Sequence, residues 1–338
     1  RSARSPPGGV QASTGTAGLL VVGLAIPAGF AGYGVVLGLG YLMVVIVHAV
    51  LYYRVNANIL RVAPFNIASA LLVTAAGLLH SPAGKDNIAA YLLWILALAV
   101  QLGSPLIVRP ASFFELRPEH FAERHNALLI VAIGESVAAV GVGAAGPVSQ
   151  APGISSRLLI AAVLGLAVAA ALWWIVFGAG DEERAERALA EASSSRRTQL
   201  ALRALFYGYI PLLLGLVAMA AAILMAVVQA AGPPAATSEL GAGGGAGQDV
   251  AARTGQAAVL AGGAALFLAG DVLIRQMLRT GPVRLRVAAA IAALATIVVG
   301  LAAGLDVQLL LVAGVLVAPL LAEPVTGGAK PGRSDAAG

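Results

Sequence analysis

The chain has 338 residues, of which 59% are hydrophobic, 11% are charged and none is cysteine, with a formal net charge of +5. An ordinary soluble domain carries roughly 25% charged residues, so a water-facing surface cannot be covered here, and the lack of thiols excludes disulfides, thiolate metal sites and cysteine nucleophiles. The basic residues fall in short segments between apolar runs, which reads as membrane topology and predicts no nucleic-acid partner.

Residues 1–15 form a Ser/Pro/Gly-rich lead without a signal-peptide pattern, expected to be disordered; because the first residue is Arg1, the natural N-terminus is expected to lie upstream. From residue 16 onward, apolar runs long enough to cross a hydrocarbon core of roughly 30 Å follow one another. They lie near 16–33, 36–53, 63–80, 88–108, 121–142, 158–178, 204–229, 255–275, 284–303 and 306–322. The first is the weakest, since Pro27 and several glycines interrupt it. No period-2 alternation marks a barrel, so the predicted fold is all-α, a polytopic transmembrane helix bundle of about ten spans in one domain, 16–322.

Two connections stand out. Residues 179–203 mix both charge signs at helical spacing and predict a solvated cytoplasmic helix running into the next span. Residues 231–254 are Gly/Ala-rich and predict a flexible external loop; no Lys-Ser/Thr follows their glycines, so a phosphate loop is not expected. Residues 323–338 read as a disordered tail. If the N-terminus is inside, Arg54, Arg61, Arg109, Arg117, the Arg184–Arg203 cluster, Arg275, Arg279, Arg284 and Arg286 all face the cytoplasm. Of 21 Lys and Arg, only Lys85, Arg157 and Arg253 fall outside, with Arg124 within a span. The positive-inside bias therefore predicts an N-in, C-in membrane protein, with membrane lipids as its first partners.

The most informative stretch is HFAERHNALLIVAIGES, His120 to Ser136. On a helix, His120, Glu123, Arg124, Ala127, Val131, Gly134, Glu135 and Ala138 share one face, and Leu129, Ile130, Ile133 and Val137 the opposite one. The polar stripe is expected to look into the bundle, with its small residues in close helix contact. Glu135 lies just past mid-span, where an ionised carboxylate costs at least about 2.5 kcal/mol. Arg124 is about 16 Å away along the axis, too far to pair with it.

At about 1.5 Å per residue, Asp271 and Arg124 lie at matched depth toward the cytoplasmic side, which predicts an ion pair between them. The rival has Arg124 on Glu123 or a lipid phosphate and Asp271 on Arg275, one turn along its own helix. By the same count Asn66, Tyr207 and Tyr209 lie on the inner side and His48 and Gln101 nearer the centre. These are expected to line a vestibule closing near Glu135. The bland reading makes Glu123, Arg124 and Asp271 structural clamps at the inner interface. His120 and His125 lie on different faces, so no metal site is expected, and nothing in the sequence implies a cofactor. Trp173, Trp174 and the FYGYIP run from Phe206 fit an aromatic belt.

The run RPEHFAERHNALLIVAIGES resembles the signature of the bacterial low temperature requirement A family, with its His-x-x-Glu-Arg element at His120, Glu123 and Arg124 and its Gly-Glu-Ser at Gly134, Glu135 and Ser136. The similarity extends through AIPAGFAGYG, GYLMVVIVHAVLYY, the PFN element at Pro64 to Asn66, and LALRALFYGYIPLLLGLVAMAAAI, over residues 16–322. The family's Phe-Phe-Asp-Leu-Val-Phe element has no counterpart upstream of residue 16, which suggests an absent N-terminal span pair. Ile210 stands where members often carry His. The resemblance implies a multi-span membrane protein and these candidate positions, and supplies no substrate.

Three functions compete. A transporter or channel for a small solute or proton would use Glu135 as its protonatable site. A membrane enzyme acting on a lipid-soluble substrate would need two catalytic groups around one cavity, and no Asp-rich metal motif appears, so an enzyme is the less favoured reading. A structural or sensory protein would use the polar stripe only to specify packing, and a homo-oligomer is compatible with it.

Overall fold

The computed structural model describes residues 8–29, 32–53, 59–79, 87–108, 118–150, 155–178, 181–231 and 246–326. Among them the chain is helical and without strands, and nine helices are long and apolar enough to cross a membrane. The chain divides into two compact units, Arg1–Phe114 and Glu115–Gly338.

The first unit holds α1 (Gly8–Ala25), a 3₁₀ turn (Ile26–Ala28), α2 (Gly34–Tyr53), α3 (Ile59–Leu79) and α4 (Ile88–Val108). α1 begins within the stretch read as an unstructured lead, of which residues 1–7 lie outside the described residues. The first of the ten expected spans, at 16–33, corresponds to a shorter apolar helix, Ser13–Ala28; Pro27 falls in the 3₁₀ turn that ends it. α2 and α3 touch backbone to backbone. Gly34 and Gly38 form a Gly-x-x-x-Gly pair, and a Cβ at either would strike Gly77 or Thr74 of α3. Small residues let helices approach where van der Waals contact drives association in lipid. Ser69 Oγ then donates to the Ala97 carbonyl at 3.1 Å, tying α3 to α4.

The second unit comprises α5 (Pro118–Gln150), α6 (Ser156–Phe177), α7 (Asp181–Glu191), α8 (Ser194–Leu200), a π-helical turn (Ala201–Tyr207), α9 (Tyr209–Ala231), α10 (Ala246–Leu278), α11 (Arg284–Ala303) and α12 (Leu305–Thr326). α9 and α10 are the best-buried spans, 50% and 56% of their apolar windows, and form the centre of the unit. Their seam is again built from small residues seven apart: a Cβ at Gly215 would meet Phe267 and Gly263, and one at Gly270 would meet Leu212 and Gly208. Leu129 and Ile133 of α5, Leu172 and Ile175 of α6, and Leu309 and Val312 of α12 complete the core.

The single charged helix expected at 179–203 is two helices, broken at Ala192 and Ser193. Arg197 explains the break. Its guanidinium donates to the carbonyls of Leu189, Ala190 and Ala192 at 2.8, 3.1 and 3.2 Å, satisfying groups that the end of α7 leaves unpaired. Of the loop expected at 231–254, residues from Ala246 are already helical, and 232–245 lie outside the described residues. The tail's first residues continue α12 to Thr326.

Alternation of the spans within this unit agrees with the sequence reading. Ser155, which caps α6 by accepting from the Leu158 amide, also donates to the Ala230 carbonyl at 3.4 Å. Gln229 Nε2 donates to Gln256 Oε1 at 2.8 Å, and Arg157 meets Asp306 at 2.7 Å. The start of α6 thus shares one end of the unit with the end of α9 and the starts of α10 and α12.

Candidate functional site

α5 presents its apolar side to the unit's core. Leu129, Ile133, Ser136 and Val140 are buried, whereas Glu123, Arg124, Ala127, Val131, Gly134, Glu135 and Ala138 are exposed. Within the second unit the polar stripe therefore looks outward, not into the bundle as expected. The reason is packing: Leu129 and Ile133 fill the core, and Gly143 abuts Val227 of α9. Gly134, expected at a close helix contact, has open space where a Cβ would stand. The His120 side chain lies outside the described residues. His125 sits edge-on to Tyr209, ring centroids 4.9 Å apart, and the Tyr209 hydroxyl donates to Asn126 Oδ1 at 3.5 Å.

Glu135 is one residue past the midpoint of the span Glu123–Ala145. Among the described residues no hydrogen bond or ion pair holds its carboxylate. One position further on, Ser136 is fully buried, and its Oγ has no hydrogen-bond partner among the described residues.

The Arg124–Asp271 pair expected from matched depth does not form. Asp271 Oδ2 lies 3.0 Å from Arg286 Nη1 and 3.4 Å from Arg275 Nε. All three residues are buried, at 7%, 0% and 2% exposure, so one carboxylate stands between two guanidiniums away from water. The α10–α11 turn makes this possible. The Thr280 amide donates to the Arg275 carbonyl at 3.2 Å, and Arg275 Nη1 reaches the Pro282 carbonyl at 3.5 Å, which brings the first turn of α11 beside the last turns of α10. The Asp271–Arg275 contact is the rival reading drawn from i,i+4 spacing. In the sequence Arg286 reads only as a topology signal. Its signal was an arginine two residues inside the helix start, deep enough to face a neighbour.

His48, Asn66 and Gln101 belong to the first unit, where they line one cavity of about 150 Å³ together with Tyr41. The Tyr41 hydroxyl donates to Gln101 Oε1 at 3.4 Å, His48 stacks on Tyr52 at 4.3 Å, and Asn66 Oδ1 is buried without a hydrogen-bond partner among the described residues. The cavity offers an imidazole, a phenol and two amides to a small polar molecule. Tyr207 lies in the π-helical turn of the second unit, just before α9. Among the described residues no group of three or more His, Asp or Glu could hold a metal ion.

The family model for the bacterial low temperature requirement A protein matches residues 9–321. The chain belongs to the LtrA family. A curated relative, "uncharacterized protein RA0937" of Rhizobium meliloti (strain 1021), is 22% identical over 212 residues, 59% of this chain and 49% of that protein. The chain thus spans about half the length of the curated relative it matches. No solved structure matches it. With its many apolar helices, this LtrA-family chain is a multi-pass membrane protein.

Proposed function

We propose that this LtrA-family protein moves a proton or small solute across the bacterial cytoplasmic membrane, with Glu135 as the protonatable group. One observation carries the reading: a carboxylate at mid-span, on the outward face of its unit, with no hydrogen bond or ion pair among the described residues. In hydrocarbon an ionised carboxylate costs about 2.5–3.5 kcal/mol even on the most lenient scale. A carboxylate there needs water or a cation from elsewhere, and a carboxyl that alternates between its acid form and such a partnered anion carries a proton. The cavity around Tyr41, His48, Asn66 and Gln101 supports the same reading, since small polar sites within spans serve solute pathways.

The test uses protons as the probe. Purified protein is reconstituted into liposomes that enclose a pH-sensitive dye, and a potassium diffusion potential drives the flux. Wild-type protein is expected to raise proton entry above that of empty liposomes, and Glu135→Gln, which keeps size and removes the titratable group, to abolish the increase. Unchanged flux in a folded Glu135→Gln protein removes the role.

A further inference from the structure

The ends of α7, α8 and α10 enclose an open groove of about 590 Å³. Arg184, Arg187, Arg196 and Arg279 line it, against Glu191 as the one acid among the lining residues. Arg187 also engages Glu183 at 3.5 Å in an exposed pair that screening weakens. The cationic excess belongs to the groove and not merely to the loop. Arg197 clamps the α7–α8 joint through three carbonyls, which fixes where Arg196 projects.

Arg279 carries a second signal. It follows α10 at φ +55°, in the left-handed region that helix ends usually give to glycine, yet an arginine stands there and lines the groove. Leu200, Met277 and Leu278 supply apolar lining. Leu278 is also the last residue of the apolar span Val250–Leu278, so the groove opens at the level where the hydrocarbon-crossing segment ends.

An excess of guanidiniums over carboxylates around one concavity favours an anion there, and their planar forks suit phosphate oxygens. Basic pockets at the ends of spans are where anionic headgroups bind. We propose that this groove holds the phosphate of an anionic membrane phospholipid, with the glycerol and upper acyl carbons against Leu200 and Met277. The apolar lining and the depth favour a lipid over a free phosphate. The proposal is independent of Glu135 and of any transported species.

The full chain, delipidated in a neutral detergent, is titrated with phosphatidylglycerol, with phosphatidylcholine, and with glycerol 3-phosphate, and its unfolding midpoint is followed. Phosphatidylglycerol is expected to raise the midpoint saturably, and the other two are not. Arg279→Gly relieves the left-handed strain, so Arg196→Gln/Arg279→Gly is expected to fold normally without lipid. It should require about thirtyfold more phosphatidylglycerol for half the shift, taking about 1 kcal/mol per arginine. Arg253→Gln, at the opposite end of α10, is expected to respond like wild type. An equal response to phosphatidylcholine, a full response to glycerol 3-phosphate, or an unaltered response of the double variant would overturn the proposal.

Discussion

Arg286 reaches from the first turn of α11 to place Nη1 3.0 Å from Asp271 Oδ2 on α10, with both side chains buried. Removing one member of a buried pair strands its partner's charge and costs about 3–5 kcal/mol. Asp271→Leu, which strands two guanidiniums, is expected to lose at least that much stability in chemical unfolding in detergent, and Arg286→Leu less, because Arg275 still faces the carboxylate. The double variant recovers only in part, because Arg275 remains buried beside the vacated carboxylate position. Arg124→Leu leaves stability unchanged, and a loss as large as that of Asp271→Leu would place Arg124 in the cluster after all.

The close helix contacts lie elsewhere than on the α5 stripe. A methyl group at Gly77 would run into the backbone of Gly34, whereas one at Gly134 meets nothing within 4 Å. Overpacking costs typically 1–3 kcal/mol. Gly77→Ala is expected to lower the unfolding midpoint of the purified protein and Gly134→Ala to leave it in place; equal effects would mean that α5 or α3 is turned differently about its axis.

Orientation in the membrane follows from the arginine bias and is open to a direct test, because the chain has no cysteine of its own. Arg157, bonded to Asp306, and Arg253 mark one end of the second unit, and Arg196 and Arg284 mark the other. An impermeant maleimide applied to intact cells is expected to label cysteines placed at 157 and 253 and to miss those at 196 and 284. The reverse pattern would invert the topology.

The spans themselves were legible because each is a run of apolar residues of membrane length, a property of composition that needs no partner. Helix facing was harder. At α5 the sequence shows which residues share a stripe but not which stripe meets protein, since lipid and core are equally apolar. Depth arithmetic placed Asp271 and Arg124 at one level and could not see azimuth, so it missed that Arg286 approaches from the adjoining helix. The same arithmetic groups His48, Asn66 and Gln101 with Tyr207 and Tyr209 in one vestibule; the first three line a cavity of the first unit, whereas Tyr207 and Tyr209 belong to the second. The Gly34/Gly38 contact and the Gly208/Gly215 against Gly263/Gly270 seam carried a readable spacing of four and seven residues, legible once small residues are treated as contact points and not as breaks.

On the proposed function, Glu135 takes up and releases a proton within the membrane. An apolar carbodiimide reacts with protonated carboxyls in an apolar setting, and peptide mass spectrometry reports the fraction of Glu135 modified. Measured on reconstituted protein, proton flux is expected to fall in proportion to that fraction and to reach the level of empty liposomes when labelling is complete. Complete modification of Glu135 with undiminished flux would rule Glu135 out as the proton carrier.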